Sequence, residues 1–214
     1  MSTTRVQLID KNTTVGTAAA EDTKIVFDGN AQDFHIGIDD STDSLTLGLG
    51  TALGTTSHAR FDPIGAVLMP LQPAFRAYLG NNNMTDIGTG TTDIVFAGEY
   101  FDQNSDYNTS NYTFTAPVTG QYFFSCTMEL SNVDNANDYM RLAVVTSNRT
   151  IYQGIWSPDK TFDSDGGYCS MTTSGLFDMD ASDTCKMQIQ INSGSAQTDT
   201  LGQANCTFTG FLAC

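Results

Sequence analysis

The sequence predicts an all-β protein with two units, a small β-meander followed by a larger two-sheet sandwich. Short runs of apolar–polar alternation recur along the whole chain, bounded by Gly, Asn, Asp and Ser. No window of about a dozen residues holds a sustained 3.6-residue apolar period, so amphipathic helices are not expected. Charged residues make up only 15% of the 214-residue chain. Thr, Ser, Asn and Gly fill the remaining polar positions, a composition of strands and turns.

The first region, residues 1–62, carries candidate strands at Lys24–Phe27, Phe34–Ile38, Leu45–Leu49 and His58–Phe61. The connections DGNAQD, DDSTDS and GTALGTTS are dense in turn residues. Phe34, Ile36 and Ile38, then Leu45, Leu47 and Leu49, mark one face of a meander. About four short strands bury too little surface to stand alone. A trimer that shares these apolar faces is therefore expected. His35 falls on the opposite face and is expected to be solvated or to meet another subunit. Three copies of a histidine near an axis would also have the donors for a metal site.

Residues 63–73, PIGAVLMPLQP, read as a connector, because Pro63, Pro70 and Pro73 resist helix and central strand. Their apolar run is expected to pack along a three-fold axis or under the following domain.

The second region, residues 74–214, has its clearest strands at Tyr122–Leu130, Met140–Thr146, Cys185–Asn192 and Cys206–Cys214. Weaker ones are Ala74–Leu79, Asp93–Phe96, Tyr112–Thr115, Thr150–Trp156 and Tyr168–Phe177. About ten strands with this patterning predict a jelly-roll sandwich. Of the 5 cysteines, Cys126, Cys185, Cys206 and Cys214 fall in phase with apolar neighbours. Free, buried thiols are expected there, since period-two alternation puts them on the core face.

Within this region the aromatics of Val95–Cys126 are regularly spaced. Phe96, Asp102, Tyr107, Phe114, Gly120, Tyr122 and Phe124 follow in order. This series resembles the signature of the complement C1q-like globular domain, related to the tumour necrosis factor jelly roll. Its last position, normally aromatic, is Cys126. PAFRAYL resembles the family's first strand, SGLFDMDASDTCKMQI a strand–turn–strand with Asp183 in the turn, and NCTFTGFLAC the closing strand. The resemblance implies a trimeric binding domain whose signature residues are structural. Gly120 is expected to supply a positive φ in a turn. The collagen-like stalk of the family's animal members is missing, as no Gly-x-y repeat occurs. The segment KIVFDGNAQDFHIGIDD instead resembles structural proteins of tailed phages.

The formal net charge of −15 opposes phosphate backbones, so no nucleic-acid partner is expected. No run approaches the about 20 apolar residues of a membrane span, so no membrane insertion is expected. MSTTRVQLIDKN shows no apolar leader core, which leads to an expectation of assembly inside a cell or release by lysis. GxSxG, HExxH and P-loop motifs are missing, and both histidines lie in the first region, so an enzyme is not expected.

No cofactor is expected apart from a candidate Ca²⁺ site in the loop SPDKTFDSDGG, where Asp159, Asp163 and Asp165 offer closely spaced oxygens. A second acidic loop holds Asp39, Asp40 and Asp43. Candidate ligand contacts lie in loops around Asn132, Asp134, Asn135 and Asn137, and around Trp156 and Lys160. Tyr152 and Trp156 could stack on sugar rings, although core packing is the alternative.

The functional expectation is a virion structural protein of a phage: a homotrimeric tail fibre or spike tip, or a capsid decoration. Its first region would bind other virion proteins, and its head a host-surface glycan or protein receptor. A secreted or cell-surface C1q-like lectin and a cement protein without host ligand are the alternatives.

Overall fold

A computed structural model describes residues 14–81, 83–202 and 204–214. The chain divides into two compact units between Leu71 and Gln72. Residues 1–13 of the expected first region lie outside the described residues.

The first unit is a five-stranded antiparallel meander. It runs β1 (Thr23–Phe27), β2 (Phe34–Asp39), β3 (Ser44–Leu49), β4 (Ser57–Phe61) and β5 (Val67–Leu68), in sequence order across the sheet. The 63–73 segment thus does not act only as a connector: Val67 and Leu68 pair with Phe61 and Arg60. The loop after β3 folds over the polar side of the sheet. Gly50 accepts from His35 Nδ1 (2.9 Å), Thr51 accepts from Lys24, and Leu53 is buried. His35 is consequently buried, not solvated, together with Asp39, Ser44 and Thr46. The apolar side keeps large exposed residues: Phe27 at 60%, Phe34 at 45% and Leu47 at 39%.

The second unit is a jelly-roll sandwich of two antiparallel sheets. One follows the order β14 (Gly167–Met179), β11 (Gly120–Val133), β17 (Thr207–Leu212), β6 (Ala74–Tyr78) and β8 (Gly98–Asp102). The short β16 (Asp199–Thr200) pairs with β11. The other follows β13 (Thr150–Trp156), β12 (Tyr139–Thr146), β15 (Thr184–Asn192), β10 (Thr113–Thr115) and β9 (Tyr107–Asn108), with β7 (Gly90–Asp93) alongside β15. The only helix among the described residues is a 3-10 turn at Pro158–Lys160. No described helix is long and apolar enough to cross a membrane.

Alternation in the sequence translates directly into the core. Tyr122, Phe124, Cys126, Met128 and Leu130 of β11 point inward and are fully buried. Cys185, Met187, Ile189 and Ile191 of β15 face them from the other sheet. Each large side chain taken from water contributes about 1.5–3 kcal/mol.

Two expectations fail locally. Asp93–Phe96 is not a strand beyond Asp93, because the backbone closes tight turns there, with Phe96 N–H on Ile94 O (3.1 Å) and Ala97 N–H on Val95 O (3.0 Å). Cys214 is exposed, because β17 ends at Leu212. All five cysteines are free, and Cys126, Cys185 and Cys206 are buried.

Candidate binding surfaces

The signature residues assemble the centre of the second unit. Phe75 stacks on Tyr107 (4.8 Å) and Phe114 (5.1 Å) and meets Phe208 edge-on (4.9 Å). Phe114 packs on Tyr122 and Phe124, and Phe96 on Phe208. The buried Tyr107 hydroxyl donates to Phe96 O (2.9 Å), and burial pushes its pKa upward. Asp102 organises the approach to β9, accepting the backbone N–H groups of Asp106 (3.1 Å) and Tyr107 (2.8 Å).

Gly120 lacks the positive φ expected of it. A Cβ there would lie 2.7 Å from Leu212 Cδ1 and 2.8 Å from Cys214 O, so glycine is needed for the close approach of the C-terminal strand.

At one end of the sandwich the loops holding residues 132–138, 157–167 and 193–195 come together. Asp159 N–H donates to Asn137 O (3.2 Å), Asn135 N–H to Asp165 Oδ1 (2.9 Å), and Gly166 N–H to Val133 O (3.2 Å). Asp134 is buried as an organiser, accepting from the backbone and hydroxyl of Ser195 and from Ala136 N–H. The Ser195 backbone N–H is the main reason its carboxyl sits below the ordinary range.

Asn137 is also fully buried, and its amide atoms have no hydrogen-bond partner. With Asp134 and Asn137 inside, the surface here comes from Asn132, Asn135 and Lys160. Asn132 donates to Asp199 (2.6 Å), and Lys160 pairs with Asp159. Asp159, Asp163 and Asp165 do not converge as a ligand set. Among the described residues no three His, Cys, Asp or Glu side chains are grouped to hold a metal, and this covers Asp39, Asp40 and Asp43 too.

Trp156 packs edge-on against Phe162 (5.4 Å) at the rim of the core, so it offers no open stacking platform. Tyr152 differs. It is 40% exposed, and the Arg141 guanidinium sits 3.8 Å from its ring centroid. Arg141 also donates to Gln190 (2.6 Å), which fixes the guanidinium over the ring. Arg141 and Gln190 gave no sequence signal, since their contact runs across strands β12 and β15.

The outer face of the β14–β11–β17–β6–β8 sheet has a different character. Phe123 packs on Phe211 (5.3 Å) and lies in register with Leu176, which is 60% exposed. Toward the sheet edge Tyr78 stacks on Tyr100 (4.6 Å) under Arg76. Between these groups lie the hydroxyl residues Ser125, Thr127, Thr172, Ser174, Thr207 and Thr209.

A family model for the C1q domain matches residues 74–213. The chain belongs to the C1q domain family. The globular domain of zebrafish complement 1qA is 19% identical, with 67% of this chain and 98% of that one covered, at a TM-score of 0.46. Murine APRIL is 11% identical, covering 66% and 98%, at 0.46. The Eiger TNF of S. frugiperda is 12% identical, covering 67% and 94%, at 0.49. No curated protein matches the chain. C1q and tumour necrosis factor-like domains are usually trimeric and generally non-enzymatic.

Proposed function

We propose that this chain is a homotrimeric, non-enzymatic binding protein of a virion, a phage fibre or spike tip or a capsid decoration. Residues 74–214 form its outward head, and the first unit attaches it to neighbouring virion proteins. The observation that carries the trimer is the outer face of the β14–β11–β17–β6–β8 sheet. Phe123, Leu176 and Phe211 present apolar surface there, flanked by uncharged hydroxyl rows. Arg76, Glu129 and Asp178 also lie on this face, so in a chain of net charge −15 its apolar row of Phe123, Leu176 and Phe211 is where copies meet with the least burial of like charge.

The opposite sheet carries the polar chemistry suited to a host ligand. Arg141, Tyr152 and Gln190 together offer a cation stacked on a half-exposed ring, a phenol hydroxyl and an amide, a combination that fits the hydroxyl edge of a glycan. Three copies of a weak site would gain avidity on a receptor-dense surface, by about 10²-fold. The virion assignment is supported by the phage-like pattern of residues 24–40 and by a β-meander in place of a collagen stalk.

Binding of the purified protein to host cells tests this reading, with Arg141→Ala and Tyr152→Ala as probes. Saturable binding weakened by either change supports an adhesive head. A protein that ignores host cells, while particles lacking it fall apart, identifies a cement instead.

A further inference from the structure

The first unit is inside out for a single chain. Its sheet buries His35, Asp39, Ser44 and Thr46 beneath the loop after β3, and leaves its apolar side open. Ile25, Phe27, Phe34, Ile38, Leu47 and Phe61 on that side are all 39–60% exposed. The register puts them on one surface: Ile25 opposite Ile36, Phe27 opposite Phe34, Phe34 opposite Leu49, and Leu45 opposite Phe61. Lys24 is in the same strand but turns to the other side, where it donates to Thr51 O. No charged residue therefore falls in register with the apolar set. Among the described residues outside the sheet, Val15 borders this surface beside Ile25, Ile36, Ile38 and Leu45.

We infer that this face packs against the same face of further copies of this chain, so that residues 23–68 form an inter-chain core. Two arguments favour a copy over another occupant. First, charge: at net −15, an uncharged face is the part of this molecule where two identical chains meet without repulsion. Second, area: β1 to β4, 5–6 residues long and about 4.8 Å apart, span about 350 Å² in the sheet plane. A stable pairwise interface takes about 800 Å² from each partner. The face is thus too small to hold copies together alone. It is large enough to contribute when a second apolar patch, that of Phe123 and Phe211, belongs to the same chain. Attachment to a virion neighbour then falls to the edges and loops of the meander.

Hydroxyl-radical footprinting of the full-length protein tests this, read at Phe27, Phe34 and Phe61 beside a sedimentation mass on the same sample. The expected result is a multi-chain species in which these rings are protected, while Tyr152, on the opposite sheet of the head, oxidises as its exposure allows. Leu47→Asp should raise oxidation of the rings by about fivefold without changing that of Tyr152, whereas Leu47→Met should not. Rings that oxidise freely in a multi-chain species overturn the inference. So do rings protected in a single-chain species, which would mean that the chain covers the face itself. A single chain with open rings overturns it as well. A dimer with protected rings supports this interface and contradicts the trimer reading, so the two fail separately.

Discussion

The carboxylate of Asp102 accepts the backbone N–H of Tyr107 at 2.8 Å, and Tyr107 in turn sends its hydroxyl back to the carbonyl of Phe96. One acidic residue thereby holds a buried tyrosine in the position where it stacks on Phe75. The family's spacing of aromatic, acid, aromatic is a hydrogen-bonded loop that closes the core.

Asp102→Ala should cost about 1–2 kcal/mol, because two backbone donors lose a charged acceptor at once. Asp102→Asn should retain part of this, since its amide oxygen still accepts. Thermal unfolding of the two variants beside the parent protein checks the order.

Gly210→Ala should be costlier than an ordinary strand substitution. Its Cβ would lie 2.6 Å from both the Phe124 and Phe75 rings. Neither ring can retreat in a packed aromatic cluster, so overpacking of about 1–3 kcal/mol is expected. A clearly lowered unfolding midpoint in urea is the readout.

Acid should destabilise the head through Asp134 and Asp183. Hydrogen bonds from Ser195 to the first and from Ser147 to the second lower both pKa values. A carboxylate with a depressed folded pKa contributes stability above its unfolded pKa of about 3.9 and loses it as pH falls through the folded value. Stability should therefore be flat from neutral pH down to about 5 and fall below about 4. Asp183→Asn should reduce that acid slope, as followed by melting temperature against pH.

Thiol reagents should separate the cysteines by burial. Cys214 is exposed, and burial pushes the Cys169 thiol up to about 11 and those of Cys126 and Cys185 further. One fast thiol, removed by Cys214→Ser, is expected in the native protein, and the full set only after unfolding.

The sandwich was largely legible in the sequence because its strands are long and buried on one face. β13 matches its expected limits, β15 extends them by one residue and β11 by a few at each end. Ile94 and Phe96 misled because two alternating buried residues look the same in a strand and in a chain that turns tightly between them. In the first unit, alternation correctly grouped Phe34 with Ile36 and Ile38. It could not say which side of the sheet is covered, since that depends on the fold of the loop after β3. The loops holding Asn135 and Asp165 do converge, but the burial of Asp134 and Asn137 arises from contacts with residues 192–195 that lie far away in the sequence. The Arg141–Tyr152 contact was invisible for the same reason.

The most direct test of the account is the mass of the full-length protein in solution, measured by light scattering at neutral pH. The account predicts a mass of three chains that persists in EDTA, since it rests the assembly on apolar sheet patches. A stable monomer would contradict it, since the apolar patches of both sheets would then stand open to water.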